Sequence, residues 1–221
     1  MIAHTLINPI IPTLKSSDSI NMALEWMEDF GTTQLVVVDD HVYQGIVSEP
    51  ILQDAPNGSL PISSMVLQHH DVFAAEDQHV YELINVLHEF GLSVIPVLAY
   101  DRSFMGCISR DDLIERFVGL LGVKEKGAII VLKISELDYS LAEISRLIES
   151  NGTKILSSIY NTGDPLNPSP QLTLKLNKRE INPLIATLER FGYEIIEAHA
   201  NDPIKNMDQE RLDMLMRYLA T

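Results

Sequence analysis

Thirteen residues, SINMALEWMEDFG (19 to 31), return sixty positions later as HVYELINVLHEFG (79 to 91). The apolar positions return with them. Ile20, Ala23, Leu24, Met27 and Phe30 align with Val80, Leu83, Ile84, Leu87 and Phe90. Steps of i, i+3, i+4 and i+7 predict one amphipathic helix per copy. Gly31 and Gly91 follow directly, where a left-handed helix cap is favoured. A repeat constrains a chain more than any single motif, because both copies must adopt the same fold. One unit of about 60 residues buries little enough surface to be marginal alone, so two are expected to pack together.

Each helix is followed by a β-branched run, Leu35 to Val38 and Val94 to Leu98. Turns come next, at Asp39-Asp40-His41 and Asp101-Arg102-Ser103. A second strand is predicted around Tyr43 to Val47 and Phe104 to Ile108, then a helix opening at Ser48 or Ser109. Short extended segments, Ile11 to Leu14 and Val72 to Ala74, precede the repeated helices. The physical expectation is a pseudo-twofold pair with clefts between the copies, where ligands tend to sit.

The copies differ where the second strand meets its helix. GIVSEPIL (45 to 52) faces GCISRDDL (106 to 113), and Ile51 stands opposite Asp112. Two readings of Ser109-x-x-Asp112 stay open. It resembles a capping box, with Ser109 as N-cap and an acid at the third helical position, where acids also suit the helix dipole. Alternatively, the carboxylate is an acceptor-only group able to take two hydroxyl donors from a ligand. In the first copy Glu49 and Pro50 follow Ser48, and both suit an early helix position, so Ser48 reads as a cap.

After LLGVKEKG (120 to 127) the pattern changes. Ala128 to Ile134 reads as a strand, and Leu141, Ile144, Leu147 and Ile148 as a helical stripe closed by Asn151-Gly152. Thr153 to Tyr160 is a second strand, Asn161 to Pro170 a proline-rich loop, and Leu172, Leu174 and Leu176 alternate as in a half-buried strand. Ile181, Leu184, Ile185 and Leu188 give another helix, ending at Phe191-Gly192, and Tyr193 to Ala198 a last strand. The order is βαββαβ, a ferredoxin-like arrangement. The last residues, 201 to 221, place Leu212, Leu215, Met216 and Leu219 at helical spacing, a tail helix that must pack on its own domain or on a partner chain.

The first 122 residues resemble a tandem pair of CBS domains, the Bateman module. The helices ending in Phe-Gly, the strand with Ile95-Pro96-Val97 and the Gly-x-Ile-Ser-x-x-Asp-Leu segment carry the resemblance. The first copy departs from it, with Val36 for Pro96 and Ile51 for Asp112. The βαββαβ region resembles an ACT domain, and the whole chain the CBS–ACT proteins of the acetoin-utilisation type. The implied fold class is mixed α+β and α/β. It comprises a pseudo-twofold CBS pair over 1–122 (copies about 1–60 and 61–122), an ACT-like domain over 127–200 and a C-terminal helix over 201–221. Tyr139 and Ser140 stand where Pro-Gly is common in amino-acid-binding ACT domains, so a dimerising or structural role stands beside amino-acid binding.

The resemblance implies a regulatory protein, not an enzyme. Its ligand would contain adenosine: AMP, ADP, ATP or S-adenosylmethionine, with no cofactor required. Asp112 and Ser109 would meet the ribose. Val72, Phe73, Ala74, Val94, Ile95 and Pro96 would line the base pocket, although core packing accounts for Ile95 as well. Arg110 and Arg102 are candidates for phosphate. A homodimer is the implied unit, with a further protein partner open. The alternative is a structural or interaction protein without nucleotide.

Composition narrows the field. With 16 basic against 31 acidic residues the formal net charge is −15, which disfavours nucleic acid and anionic membrane partners. The single cysteine, Cys107, forms no disulfide within a chain, which suits a reducing compartment. The first residues lack a basic segment followed by a sustained apolar run, and no apolar stretch approaches the roughly 20 residues of a membrane span. A cytoplasmic location is the resulting expectation. No GxSxG, P-loop or GxGxxG motif occurs, so no catalytic residue is assigned. Seven histidines include the adjacent pair His69-His70, but no HExxH or CxxC spacing exists, so no metal ligand is assigned.

Overall fold

The computed structural model describes residues 1–135, 139–163 and 169–200. The chain divides into two compact units, Met1–Phe117 and Val118–Thr221.

In the first unit the repeat is written twice in three dimensions. Helix α1 (Ile20–Asp29) buries Ile20, Ala23 and Met27, and Ser19 caps it by accepting from the Met22 N–H at 3.3 Å. Strands β1 (Thr13–Leu14), β2 (Gln34–Asp39) and β3 (Val42–Ser48) form a sheet in that order, with β1 parallel and β3 antiparallel to β2. A short helix, α2 (Glu49–Gln53), follows. The second copy has the same parts: β4 (Ala74–Ala75), α3 (Val80–Phe90), β5 (Val94–Leu98), β6 (Phe104–Ser109) and α4 (Arg110–Leu120). Its sheet order is β4-β5-β6. The extended segments are shorter than the sequence suggests, because each pairs with its neighbour over two residues only. Val72 and Phe73 therefore lie outside β4.

Fine detail repeats too. The antiparallel ladders shift register between Val37 and Val38 and again between Val97 and Leu98. Gly45 (φ 146°) and Gly106 (φ 154°) sit opposite these irregularities. A Cβ on Gly45 would lie 2.9 Å from the Gln68 carbonyl oxygen, and one on Gly106 would collide with Ile7 Cγ2. Glycine is required by both backbone conformation and close approach. Pro96 pairs with Cys107 of β6, and β4 reaches only Val97 and Leu98, so the proline lies beyond the reach of a second neighbouring strand.

Each copy borrows a segment from beyond its sequence boundary. Ala3 and Leu6, in a 3-10 turn (Ala3–Leu6), join the core of Val80, Leu83, Leu87 and Val94. Ile62, in the matching turn (Ile62–Ser64), joins the core of Leu14, Ile20, Ala23 and Met27. The bridges Ile2–His79 and Ser19–Pro61 fasten the two ends. A division near residue 60 therefore separates the repeats in sequence, not in space.

The second unit contains β7 (Ile129–Lys133), α5 (Leu141–Ser150), β8 (Ile155–Asn161), β9 (Gln171–Leu176), α6 (Asn182–Arg190) and β10 (Glu194–His199). The antiparallel sheet runs β10-β7-β9-β8. Ile130 and Leu132, with Leu172, Leu174 and Leu176, turn one face onto Ile144, Leu147, Ile148, Leu184 and Leu188. This is the βαββαβ order expected from period-two strands alternating with period-3.6 helices. The expected tail helix, residues 201–221, lies outside the described residues. So do residues 136–138 of the turn after β7 and 164–168 of the proline-rich loop.

Candidate ligand-binding cleft

A cleft of ≈ 360 Å³ opens in the first unit, lined by Asn8, Ile10, Ile11, Phe30, Gly31, Thr32, Thr33, Ser93, Val94, Ser109, Arg110, Asp111 and Asp112. Parts of both repeats contribute. The end of α1 supplies Phe30, the starts of β2 and β5 supply the hydroxyls, and the β6–α4 junction supplies the acids. Its size falls within the range of small-molecule sites.

Asp112 is fixed from two sides. Its Oδ2 accepts from the Ser109 hydroxyl at 2.6 Å and from Asn8 Nδ2 at 2.7 Å. The Ser109 oxygen in turn accepts from the Asp112 N–H at 3.0 Å. Ser109 is therefore a helix cap, and its proton goes to the very carboxylate that it positions. The two side-chain bonds fall on one oxygen. Among the described residues Oδ1 accepts none and remains available to a donor.

A hydroxyl and amide cluster joins the starts of β2 and β5. Thr32 Oγ1 and Ser93 Oγ are 3.0 Å apart, and Gln34 Oε1 accepts from the Ser93 N–H at 2.7 Å. Two backbone bonds at corresponding positions hold the β2 and β5 entrances: Glu49 N–H to the Thr33 carbonyl and Arg110 N–H to the Ser93 carbonyl, both 2.9 Å. Asn8 is anchored by its own N–H on the Cys107 carbonyl at 2.9 Å, as Gln68 is on Ile46 at 2.8 Å.

Of the nine residues expected at a ligand site, Val94, Ser109, Arg110 and Asp112 line this cleft. The other five do not. Ala74, Ile95 and Pro96 are buried in the core or its sheet. Val72 is half-buried against the same core. Phe73 packs under Arg102, whose guanidinium carbon lies 4.9 Å from the ring centre. Alternation accounts for Ile95, which points to the opposite face from Val94; Pro96 shares the Val94 face but does not line the cleft.

Both arginine candidates are otherwise engaged. Arg110 donates from Nε at 2.9 Å and from Nη2 to the same Leu92 carbonyl. Ser48, expected to cap α2, occupies the N-cap position yet makes no cap bond. Pro50, at the second helical position, lacks the N–H that a cap would take, and the Ser48 hydroxyl donates instead to Gln68 Oε1 at 3.3 Å. Cys107, whose carbonyl holds the Asn8 N–H, is buried, and burial pushes its thiol up to about 12. It therefore stays protonated near neutrality and is no nucleophile. Among the described residues no group of three or more His, Cys, Asp or Glu side chains could hold a metal ion. Nor is any described helix long and apolar enough to cross a membrane.

Sequence reading missed Asn8, Thr32, Ser93 and the apolar lip of Ile10, Ile11 and Phe30. A signal existed. Asn8 precedes Gln68, and Thr33 precedes Ser93, by the same sixty positions that relate the helices.

Several solved structures are similar to this chain. A CBS domain pair/ACT domain protein from Thermotoga maritima is 20% identical, with a TM-score of 0.49 over 55% of this chain and 99% of its own. CBSX2, solved in complex with AMP, is 19% identical, with a TM-score of 0.46 over 53% of this chain and 96% of its own. The CBS domains of a transcriptional regulator from Streptococcus pneumoniae are 16% identical, with a TM-score of 0.47 over 52% of this chain and 98% of their own. The family model for the CBS domain matches residues 64–119, within the second repeat.

Proposed function

We propose that residues 1–122 act as a pseudo-twofold CBS pair that senses an adenosine-containing ligand, and that the βαββαβ domain is ACT-like and supplies a homodimer contact. The protein is regulatory and non-enzymatic. Its ligand is drawn from AMP, ADP, ATP and S-adenosylmethionine, and its output goes to a further protein partner. The observation that carries this reading is Asp112 at the cleft, held by Ser109 and Asn8 on one oxygen with the other open. Ribose offers adjacent hydroxyl donors to such an acceptor. A ligand preferring one packing of the two repeats would shift a pre-existing equilibrium, the minimum that a sensor needs.

Isothermal titration against the four ligands tests it. Heat with at least one at sub-millimolar concentration is the expected result, and no heat with any at millimolar concentration rejects the reading. An interaction protein with no nucleotide is the second reading. The two Ser109–Asp112 bonds favour it, since a helix cap alone accounts for them.

A further inference from the structure

The charges around the cleft discriminate among adenosine-containing ligands. Resting on the reading above, we propose that the cleft selects an adenosyl ligand carrying no phosphate, neutral or cationic, and disfavours AMP, ADP and ATP.

The charged residues lining the cleft are Asp111, Asp112 and Arg110. The two carboxylates outnumber the one cation. That cation has already turned two donors of its guanidinium fork onto the Leu92 carbonyl. With Nε and Nη2 on that carbonyl, the guanidinium keeps only its end-on donors, Nη1 and the second Nη2 hydrogen, for a phosphate, and its orientation is set by Leu92. The remaining anion-attracting feature is the start of α4, an 11-residue helix. Its first turn carries Asp111 and Asp112, which answer the positive end of the helix dipole from within the chain. An incoming phosphate would meet both acids there. The whole chain, at −15, adds repulsion for a polyanion. The rest of the lining suits an uncharged nucleoside: Thr32, Thr33 and Ser93 hydroxyls beside Ile10, Ile11 and Phe30. A sulfonium such as that of S-adenosylmethionine would add attraction.

Titration of the full chain with adenosine, S-adenosylmethionine, S-adenosylhomocysteine, AMP and ATP tests this, with EDTA present so that no metal masks the phosphates. At low salt the expected order places adenosine and S-adenosylmethionine at least ~10-fold tighter than ATP, with AMP between. The gap should narrow at ~1 M salt, where the Debye length falls to about 3 Å. S-adenosylmethionine should exceed S-adenosylhomocysteine. Asp111→Asn, at an exposed position clear of the Ser109–Asp112 pair, should improve AMP relative to adenosine. AMP or ATP binding tighter than adenosine would overturn the selection and leave the sensor reading standing, as would an AMP-to-adenosine ratio unmoved by Asp111→Asn. No binding by any of the five would overturn the sensor reading itself.

Discussion

Asp112 shows how one carboxylate can serve the fold and a ligand together. Its backbone N–H completes the Ser109 cap, one oxygen ties α4 to Asn8, and the other accepts no bond from the described residues at a position that lines the cleft. Replacing it with alanine removes one or two charge-assisted bonds to a ribose. Asp112→Ala is therefore expected to weaken adenosyl binding about ten- to a hundredfold. The Ser109–Asp112 and Asn8–Asp112 bonds go with it, so a thermal melt should accompany the titration. Ser48→Ala should leave affinity nearly unchanged, because its hydroxyl meets only Gln68. The reverse ranking would place the site in the first repeat. The pair Ser109-x-x-Asp112 was visible in sequence as either cap or ligand contact. The structure makes it a cap that leaves an acceptor over, so the two readings are compatible; the bond from Asn8, 104 positions away, was not legible in sequence.

At the scale of elements, glycine placement decides whether each sheet closes properly. At Gly106 in β6, opposite the register shift of the ladder, the backbone takes φ 154° and Ile7 occupies the space of a side chain. Gly106→Ala should cost about 1–3 kcal/mol, read as a lower urea midpoint with an unchanged slope. Gly119 lies within α4 with nothing near its missing Cβ. Gly119→Ala should instead stabilise by about 0.5–1 kcal/mol. Equal effects at both sites would show that packing around Gly106 does not constrain it. Helices and strands themselves were largely legible, since α1, α3, α5 and α6 follow their apolar stripes. The α2 cap was not legible. Residue preference favours Ser48, but the rotamer went to Gln68, twenty positions away in sequence.

At the scale of the whole molecule, the exchange of end segments within the first unit matters most. Ala3 is fully buried beside α3, and its N–H donates to the Gln78 carbonyl at 2.9 Å. Ala3→Asp would bury an unpaired charge there. It should lower stability by about 3 kcal/mol or more, and amide protection should fall first in α3, β5 and β6. His4→Asp, at an exposed position, should stay within about 0.5 kcal/mol. Loss of protection centred on α1, β2 and β3 instead would contradict the segment's attachment to the second repeat.

What the sequence determined by itself was periodicity: two copies sixty residues apart, a βαββαβ region after them, and a charge balance hostile to polyanions. Those properties are local or additive, so they survive being read one residue at a time. What only the tertiary structure decided was which side chains share a cavity. Asn8, Thr32, Ser93 and Asp112 come from distant parts of the chain, and of the buried β5 residues Val94 lines the cleft while Ile95 and Pro96 do not. Side-chain direction along a strand, and contacts between segments a hundred residues apart, depend on how the two repeats pack, and no spacing within either repeat encodes that.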